Sequence, residues 1–323
     1  MNRSRRLHLA LTVAVVASLS VIAAGTAALA LDVPVRLFVG DSQPVKPRSL
    51  LSQLEGWRLS YTARGERGSL HLFVSDADGG NPRQIDRIAG DKHQPNWSPD
   101  GKRIAFRWVP HDEDHTPLAL IDADGSNFVN LTKITGLWGW SPSWSRDGKR
   151  LVTAATRRVG VPNSLYVMNS DGTNVHRITP VGREAQYAAW SPDGRRIAFT
   201  YVVDGGFDLF TVRPDGTDLR RLTRDGGAGQ NNWAMWSPNS RRIAWGKADA
   251  IWVMSADGSH KQLVTRAGGV PGAWAPGPVI AFACSIGRGK GGLCGVRPDG
   301  TRLTRLLGGA EANFPGWRPP TRR

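Results

Sequence analysis

The stretch Trp190-Ser191-Pro192-Asp193-Gly194-Arg195-Arg196-Ile197-Ala198-Phe199 decides the fold, because the chain of 323 residues repeats it in variant forms. An Asp-Gly pair precedes each copy of the tryptophan by 17 to 21 residues, and successive pairs lie 42 to 47 residues apart. Two markers that repeat in one register with this period indicate a propeller, in which each repeat forms one blade. The six tryptophans are Trp97, Trp144, Trp190, Trp236, Trp274 and Trp317. The Asp-Gly pairs begin at Asp78, Asp124, Asp171, Asp215, Asp257 and Asp299.

Each repeat is predicted to contain four β-strands. The first ends at the tryptophan, and the Pro-Asp-Gly turn leads into a second, such as Arg103-Ile104-Ala105-Phe106. A third, such as Leu165-Tyr166-Val167-Met168, runs into the Asp-Gly hairpin turn, and a fourth contains a stretch such as Arg177-Ile178-Thr179. Apolar residues alternate with small or polar ones, and no stretch after the first 31 residues has sustained helical periodicity. The predicted fold class is therefore all-β.

The two ends of the array each supply part of a blade. The first unit has strands two to four, beginning near Arg58, but it has no Trp-Ser-Pro strand of its own. The last tryptophan, Trp317, ends a first strand that has no others after it. We therefore predict a six-bladed β-propeller over residues 57–317, in which the C-terminal strand closes the first blade and leaves no open inner edge.

The repeated Trp-Ser-Pro-Asp-Gly stretch and the Asp-Gly-Thr/Ser-Asn turn resemble the repeat of the TolB-like six-bladed β-propeller family, over residues 57–317. The resemblance implies a protein-binding platform in the bacterial envelope, although related propellers gate peptidases or carry enzymatic sites. The α/β domain that precedes the propeller in TolB has no counterpart within residues 32–56. No Gly-x-Ser-x-Gly sequence occurs, so serine peptidase activity is not expected.

The N-terminal segment predicts export. Arg3, Arg5 and Arg6 precede an uncharged run over 9–31, which fits a signal peptide cleaved after Ala28-Leu29-Ala30 or an uncleaved membrane anchor. Residues 32–56 are interpreted as a linker, and 318–323 as a basic tail. The expected location is periplasmic, extracellular, or tethered to the outer side of the cytoplasmic membrane, with membrane contact only through the N-terminal segment.

Cys284 and Cys294 lie on either side of a glycine-rich turn. Two cysteines on facing hairpin strands of an exported protein predict a disulfide, and the alternative is two buried thiols. Two cysteines alone would leave a metal short of ligands.

The charge of the chain predicts an acidic partner. The full sequence has a net charge of +15, and without Arg3, Arg5 and Arg6 it has 39 basic and 27 acidic residues, a net charge of +12. Such a surface favours an envelope protein or an acidic polymer, and the alternative is a solvated basic surface with no specific partner. Nucleic acid is not expected, because the chain is exported and its basic residues are scattered. We expect no cofactor, and a monomer.

The connections from strand four to strand one lie on the face opposite the repeated Pro-Asp-Gly and Asp-Gly turns, and this face is predicted to bind a ligand or partner around the central channel. Aromatic and amide groups there suit a peptide or a carbohydrate, and the alternative is that they only fill and hydrate the channel. The principal candidates are His93, Trp138, Trp140, Gln186, Tyr187, Asn231, Asn232, Trp233 and Asn313. Lys92, Gln94, Glu184, Gln230 and Glu311 belong to the same segments. The six repeated tryptophans are instead expected to pack between blades.

A histidine-rich loop is a second candidate site. His111, Glu113 and His115 could bind a divalent metal, although the sequence is not His-Glu-x-x-His and an exposed acidic loop is the simpler interpretation. Three functions therefore stay open: a non-catalytic binding platform, a metal-assisted lyase or hydrolase that acts on acidic polysaccharide with His93, His111 and His115 as ligands or bases, and an anchored sensor ectodomain.

Overall fold

The computed structural model describes residues 58–65, 68–77, 80–111, 116–225, 231–275, 279–285, 291–308 and 313–318. Their strands form six antiparallel sheets of four strands each, and every sheet corresponds to one predicted repeat. The all-β, six-bladed propeller is therefore confirmed. The described parts of 35–157 and 161–323 belong to one compact unit, and residues 158–160 are assigned to another.

The blades are numbered from the N-terminal end, and each is given from its innermost strand outward. Blade 1 consists of β24 (Asn313–Arg318), β1 (Arg58–Arg64), β2 (Leu70–Asp76) and β3 (Arg83–Gln84). Blade 2 consists of β4 (Asp91–Trp97), β5 (Arg103–Val109), β6 (Leu118–Asp122) and β7 (Val129–Asn130). Blade 3 consists of β8 (Trp138–Trp144), β9 (Arg150–Thr156), β10 (Ser164–Asn169) and β11 (His176–Arg177).

The remaining three blades follow the same order. Blade 4 consists of β12 (Ala185–Trp190), β13 (Ile197–Val203), β14 (Gly206–Val212) and β15 (Arg220–Arg221). Blade 5 consists of β16 (Asn232–Trp236), β17 (Arg242–Lys247), β18 (Ala250–Ser255) and β19 (Gln262–Thr265). Blade 6 consists of β20 (Val270–Ala275), β21 (Val279–Ser285), β22 (Gly291–Val296) and β23 (Thr304–Gly308).

Blade 1 is built from both ends of the array, as predicted. The C-terminal strand β24 pairs antiparallel with β1, and Trp317 lies opposite Leu59 in the register. The innermost strands contact one another in circular order, β4 with β8, then β12, β16, β20 and β24, which returns to β4. Because the last strand reaches the first blade, the ring closes without a free inner edge.

Hydrogen bonds within each blade fix the two repeated turns. In the Pro-Asp-Gly turn of blade 2, Ser98 Oγ donates to Asp100 Oδ1 at 2.6 Å and accepts from the Arg103 amide at 2.9 Å. In the Asp-Gly turn of blade 4, Asp215 Oδ1 accepts from the amide and the hydroxyl of Thr217 at 2.9 and 2.7 Å. These bonds lower the pKa of the Asp215 carboxyl, and they are typical of hairpin turns.

The hydrophobic core lies between the blades. Among the described residues the buried apolar side chains form six clusters, and each cluster joins two neighbouring blades, as where Val152 and Leu165 of blade 3 pack with Phe199 of blade 4. The repeated tryptophans belong to these contacts: Trp144 Nε1 donates to the backbone oxygen of Asn96 in the preceding blade at 3.0 Å. Each fully buried side chain contributes about 1.5–3 kcal/mol, so the blade interfaces dominate stability.

One short helix interrupts the β structure. Helix α1 (Leu131–Thr135) begins after Asn130, whose side chain accepts from the Lys133 amide at 3.1 Å, and it ends at Gly136 in the left-handed region. Within the described part of the chain, no helix is long and apolar enough to cross a membrane. The predicted signal or anchor over 1–31 and the linker over 32–56 lie outside the described residues, and β24 ends at Arg318.

The predicted disulfide is present. Cys284 on β21 and Cys294 on β22 are bonded, and their Cα atoms are 5.8 Å apart. Both residues are buried in the cluster between blades 5 and 6. A disulfide of this kind is typical of proteins that fold in an oxidising compartment.

Candidate functional site

The innermost strands carry an irregularity at one repeated position next to the channel. In blades 2 to 5 the pairing register shifts between the fourth and the first residue before the repeated tryptophan, so each of these strands has a β-bulge. The bulged residues with positive φ are Gln94, Ser141, Tyr187 and Trp233. Positive φ is costly for residues other than glycine, and a bulge redirects side chains, so these four positions hold a strained, specific arrangement.

The bulges surround a cavity of about 120 Å³. Its walls come from the innermost strands of five blades, with Gln94, Ser141, Tyr187, Trp233 and Pro271 at the equivalent positions. Pockets that enclose a drug-sized molecule have about 300–1,000 Å³, so this cavity is smaller than such a pocket.

Aromatic side chains line the channel next to the cavity. Tyr187 of blade 4 and Trp233 of blade 5 are stacked, with ring centroids 4.0 Å apart and planes inclined by 26°. Burial raises the pKa of Tyr187 to about 12, so its hydroxyl keeps its proton at neutral pH. Trp138 and Trp140 of blade 3 are partly exposed. These four residues are called the aromatic wall below.

An arginine of the second strand of blade 2 reaches this wall. Arg107 lies opposite His93 in the register, and its Cζ atom is 3.8 Å from the centroid of the Trp140 ring in the next blade. A cation that lies over an indole face is attracted by the ring, and the contact also fixes the plane of the guanidinium. Burial lowers the pKa of Arg107 to about 10, while interaction with Tyr187 opposes the shift, so the group stays charged at neutral pH.

In the five remaining blades, a small residue occupies the position that is equivalent to Arg107. The register pairs the same channel position of the innermost strand with a threonine, alanine or glycine elsewhere. A long cation therefore replaces a small side chain at one place in the ring. The small residues are Thr62, Ala154, Thr200, Gly246 and Ala283.

The imidazole of His93 lies in the field of this arginine. Burial lowers the pKa of His93 to about 4, Arg107 and Arg64 act in the same direction, and Asp91 opposes them. His93 is therefore neutral at pH 7 and does not supply positive charge to the channel.

Several buried polar atoms around the channel have no hydrogen-bond partner within the described part of the chain. They are Arg107 Nε, Ser141 Oγ, Gln186 Oε1 and Thr200 Oγ1. Each unsatisfied buried group costs about 1–3 kcal/mol, and native proteins keep few of them. The four residues lie on the two innermost strands of blades 2 to 4, and Ser141 is the one of them that lines the cavity.

The structure brings five of the predicted residues together on successive innermost strands: His93, Trp140, Gln186, Tyr187 and Trp233. Trp138 begins β8, and Asn232 begins β16 and is partly exposed. Asn313 begins β24, where its backbone lies opposite Thr62. The ligand-binding role of these residues stays a prediction.

Other predicted residues take part in internal contacts. Asn231 is fully buried, donates to Asp225 Oδ1 at 2.8 Å and accepts from Trp245 Nε1 at 3.0 Å. Lys92 is fully buried and forms an ion pair with Asp86 at 2.8 Å. Both side chains are therefore occupied by contacts within the fold.

Glu184 also has an internal partner. It accepts hydrogen bonds from the amide and the side chain of Asn163 at 2.8 and 2.5 Å. Burial nevertheless raises the pKa of the Glu184 carboxyl. Gln230 and Glu311 lie outside the described residues.

The histidine-rich loop is described only at His111, which is exposed and lies 3.3 Å from Ser69 Oγ through Nε2. Glu113 and His115 lie outside the described residues. Among the residues that are described, no group of three or more His, Cys, Asp or Glu side chains could hold a metal ion. Metal binding in this loop stays a prediction.

Sequence reasoning missed Arg107. It looked for candidates in the connections between blades, whereas Arg107 lies inside a regular strand. The available signal was the comparison of repeats: Ile104-Ala105-Phe106-Arg107 aligns with Ile197-Ala198-Phe199-Thr200. The other repeats have a small residue at this position, so a charged residue there indicates a role other than packing.

Comparison with known proteins agrees with this fold. A dipeptidyl-peptidase 5 from Porphyromonas endodontalis is 42% identical over 60 residues, 19% of this chain and 9% of the relative. A Tol-Pal system protein TolB from Xanthomonas campestris is 50% identical over 52 residues, 15% of this chain and 12% of the relative. The matched part thus spans only about a tenth of the length of these curated relatives.

Solved structures match over more of the chain. The crystal structure of TolB from Acinetobacter baumannii aligns with a TM-score of 0.69 and 23% identity, covering 82% of this chain and 67% of that one. An oligogalacturonate lyase from Vibrio parahaemolyticus aligns with a TM-score of 0.53 and 13% identity, covering 78% and 74%. At these identities the likeness concerns the fold. The family model of the TolB beta propeller domain matches residues 57–321, and the chain belongs to that family.

Proposed function

We propose that the protein is an exported, non-catalytic propeller that binds an envelope protein at its channel face. The observation that carries the proposal is the aromatic wall beside Arg107, in which Trp140 and Trp233 are partly exposed. Tryptophan, tyrosine and arginine are the residues that contribute most to protein interfaces, because they bury a large area and still offer polar contacts. A cluster of them around one channel supports a role as a binding platform.

Export is supported by two features of the chain. The disulfide between Cys284 and Cys294 is typical of an oxidising compartment, and the uncharged run over 9–31 follows three arginines. The net charge of +15 favours an acidic partner. A curated relative bears the name of the Tol-Pal system, which fits a protein partner in the envelope. We propose a periplasmic, extracellular or membrane-tethered monomer.

The proposal is tested by crosslinking the tagged full chain in intact cells and identifying the captured proteins. We expect a defined envelope protein with the wild type and a loss of at least tenfold in the double variant Trp140→Ala, Trp233→Ala. The matched control is Trp252→Ala, which removes a tryptophan from β18, the third strand of blade 5.

Thermal unfolding of the three proteins checks that the variants are folded. Capture that is equal in wild type and the double variant would contradict the channel face as the platform. No specific capture from wild-type cells would contradict the platform itself and would favour screening of acidic polysaccharides as substrates.

A further inference from the structure

We propose that Arg107 is the specificity-determining residue of the channel, and that it binds the carboxylate of an aspartate or glutamate side chain that the partner protein inserts. This inference deepens the proposed function and rests on it. It identifies the chemistry that the channel selects and the atoms that select it.

The charge of Arg107 has no counter-ion among the described residues. Its guanidinium lies over the Trp140 ring, and none of the described carboxylates forms an ion pair with it. A partly desolvated cation without a carboxylate is unfavourable for the fold alone. The same group becomes favourable when a ligand carboxylate completes the pair, because charge-assisted bonds to arginine are strong and bidentate.

The contact with Trp140 holds the guanidinium of Arg107 at the channel. Its Cζ atom is 3.8 Å from the ring centroid, and this contact restricts where the guanidinium can lie. Arg107 Nε is buried and has no hydrogen-bond acceptor among the described residues. A carboxylate accepts from two adjacent N–H groups of arginine, so it would satisfy this donor.

A small cavity with one unpaired hydroxyl lies next to these groups. The cavity next to Tyr187 has about 120 Å³, well below the roughly 300 Å³ at which pockets begin to enclose drug-sized ligands. Ser141 lines this cavity, and its Oγ, which has no partner among the described residues, can accept from a backbone amide of an inserted peptide.

The test uses the full chain labelled with ¹⁵N-arginine and follows the Nε–H resonance of Arg107 by NMR. The probes are the peptides acetyl-Gly-Asp-Gly-amide and acetyl-Gly-Asn-Gly-amide, which have nearly the same shape and differ in charge. We expect saturable shifts with the aspartate peptide, and an affinity at least tenfold lower for the asparagine peptide. Galacturonate is titrated in parallel as a carboxylate carried by a sugar.

Two variants separate the roles of charge and location, with binding followed by tryptophan fluorescence. Arg107→Gln should lose binding of the aspartate peptide and should unfold at the same temperature as wild type or higher, because it removes an unpaired buried charge. Arg183→Gln removes an exposed arginine beside Tyr201 and should leave binding unchanged.

Equal affinity for the two peptides, or binding that survives Arg107→Gln, would overturn the proposal. Tighter binding of galacturonate than of the aspartate peptide would overturn the peptide as the source of the carboxylate. These results are independent of the crosslinking experiment: a platform that captures a partner but does not distinguish the two peptides would retain the proposed function and lose this inference.

Discussion

Two rings of side chains lie on the same innermost strands, three residues apart, and they differ in how far their residue types repeat from blade to blade. The outer ring contains the repeated tryptophans, of which Trp97, Trp144, Trp190 and Trp236 are at most 7% exposed. The inner ring contains the bulged residues Gln94, Ser141, Tyr187 and Trp233, which differ from blade to blade. Where the sequence repeats, the structure packs one blade on the next; where it does not, the structure presents a particular surface to the channel.

The largest expected difference between the two rings is in their contribution to stability, and Trp144 tests it. Replacing it with alanine removes a buried indole and the hydrogen bond to Asn96, so we expect a loss of about 3–5 kcal/mol in the free energy of unfolding. The same change at Trp140, four residues earlier and partly exposed, should cost about 1 kcal/mol or less. Urea unfolding of the two variants measures both values.

Equal destabilisation by the two substitutions would mean that the two rings have the same structural role. Partner binding measured on the same samples should show the opposite order of effects. At a temperature where both variants are folded, Trp140→Ala should reduce binding and Trp144→Ala should not.

Two adjacent asparagines at the start of blade 5 separate a structural role from a channel role at neighbouring positions. Asn231 is fully buried and bonded to Asp225 and Trp245, whereas Asn232 is partly exposed next to Trp233. Asn231→Ala leaves a buried indole N–H without its acceptor, so it should cost about 2–3 kcal/mol, and Asn232→Ala should stay within about 0.5 kcal/mol. Thermal and urea unfolding of the pair would contradict this assignment if the order were reversed.

The fold could be predicted from the sequence because the tryptophan and Asp-Gly markers occur in six repeats with one period. Trp317 without following strands and Arg58 without a preceding one were enough to predict the composite blade, since a ring needs both halves. The disulfide followed from Cys284 and Cys294 in facing strands of one hairpin.

The site could be predicted only in part, for a physical reason. Knowing which connections share a face placed His93, Trp140 and Tyr187 near the channel, but it could not separate Asn231 from Asn232. That distinction depends on which residue faces Trp245 inside the blade, and a one-residue shift in a strand reverses it. Arg107 was missed because its meaning depends on a ring in the next blade, 33 residues away in the sequence.

A further expected effect concerns pH and joins the two regions through His93. The unfolded chain protonates this imidazole near pH 6.5, whereas the folded protein does so near pH 4, because burial, Arg107 and Arg64 outweigh Asp91. The unfolded state therefore binds more protons between these values, and stability falls as the pH falls through this interval. Relative to His93→Gln, the wild type should lose roughly 1 kcal/mol per pH unit between pH 6 and pH 4.

Urea unfolding of both proteins at pH 7, 6, 5 and 4 measures this difference, and superimposable pH profiles would contradict the placement of His93 in the field of Arg107. The variant Arg107→Gln tests the cause. Without the guanidinium only burial and Arg64 lower the pKa of His93, so the pKa should rise towards its ordinary value and the dependence on pH should weaken. A ligand carboxylate at Arg107 should act in the same direction, since it neutralises the same charge. The histidine thus reports occupancy of a site that it does not itself form.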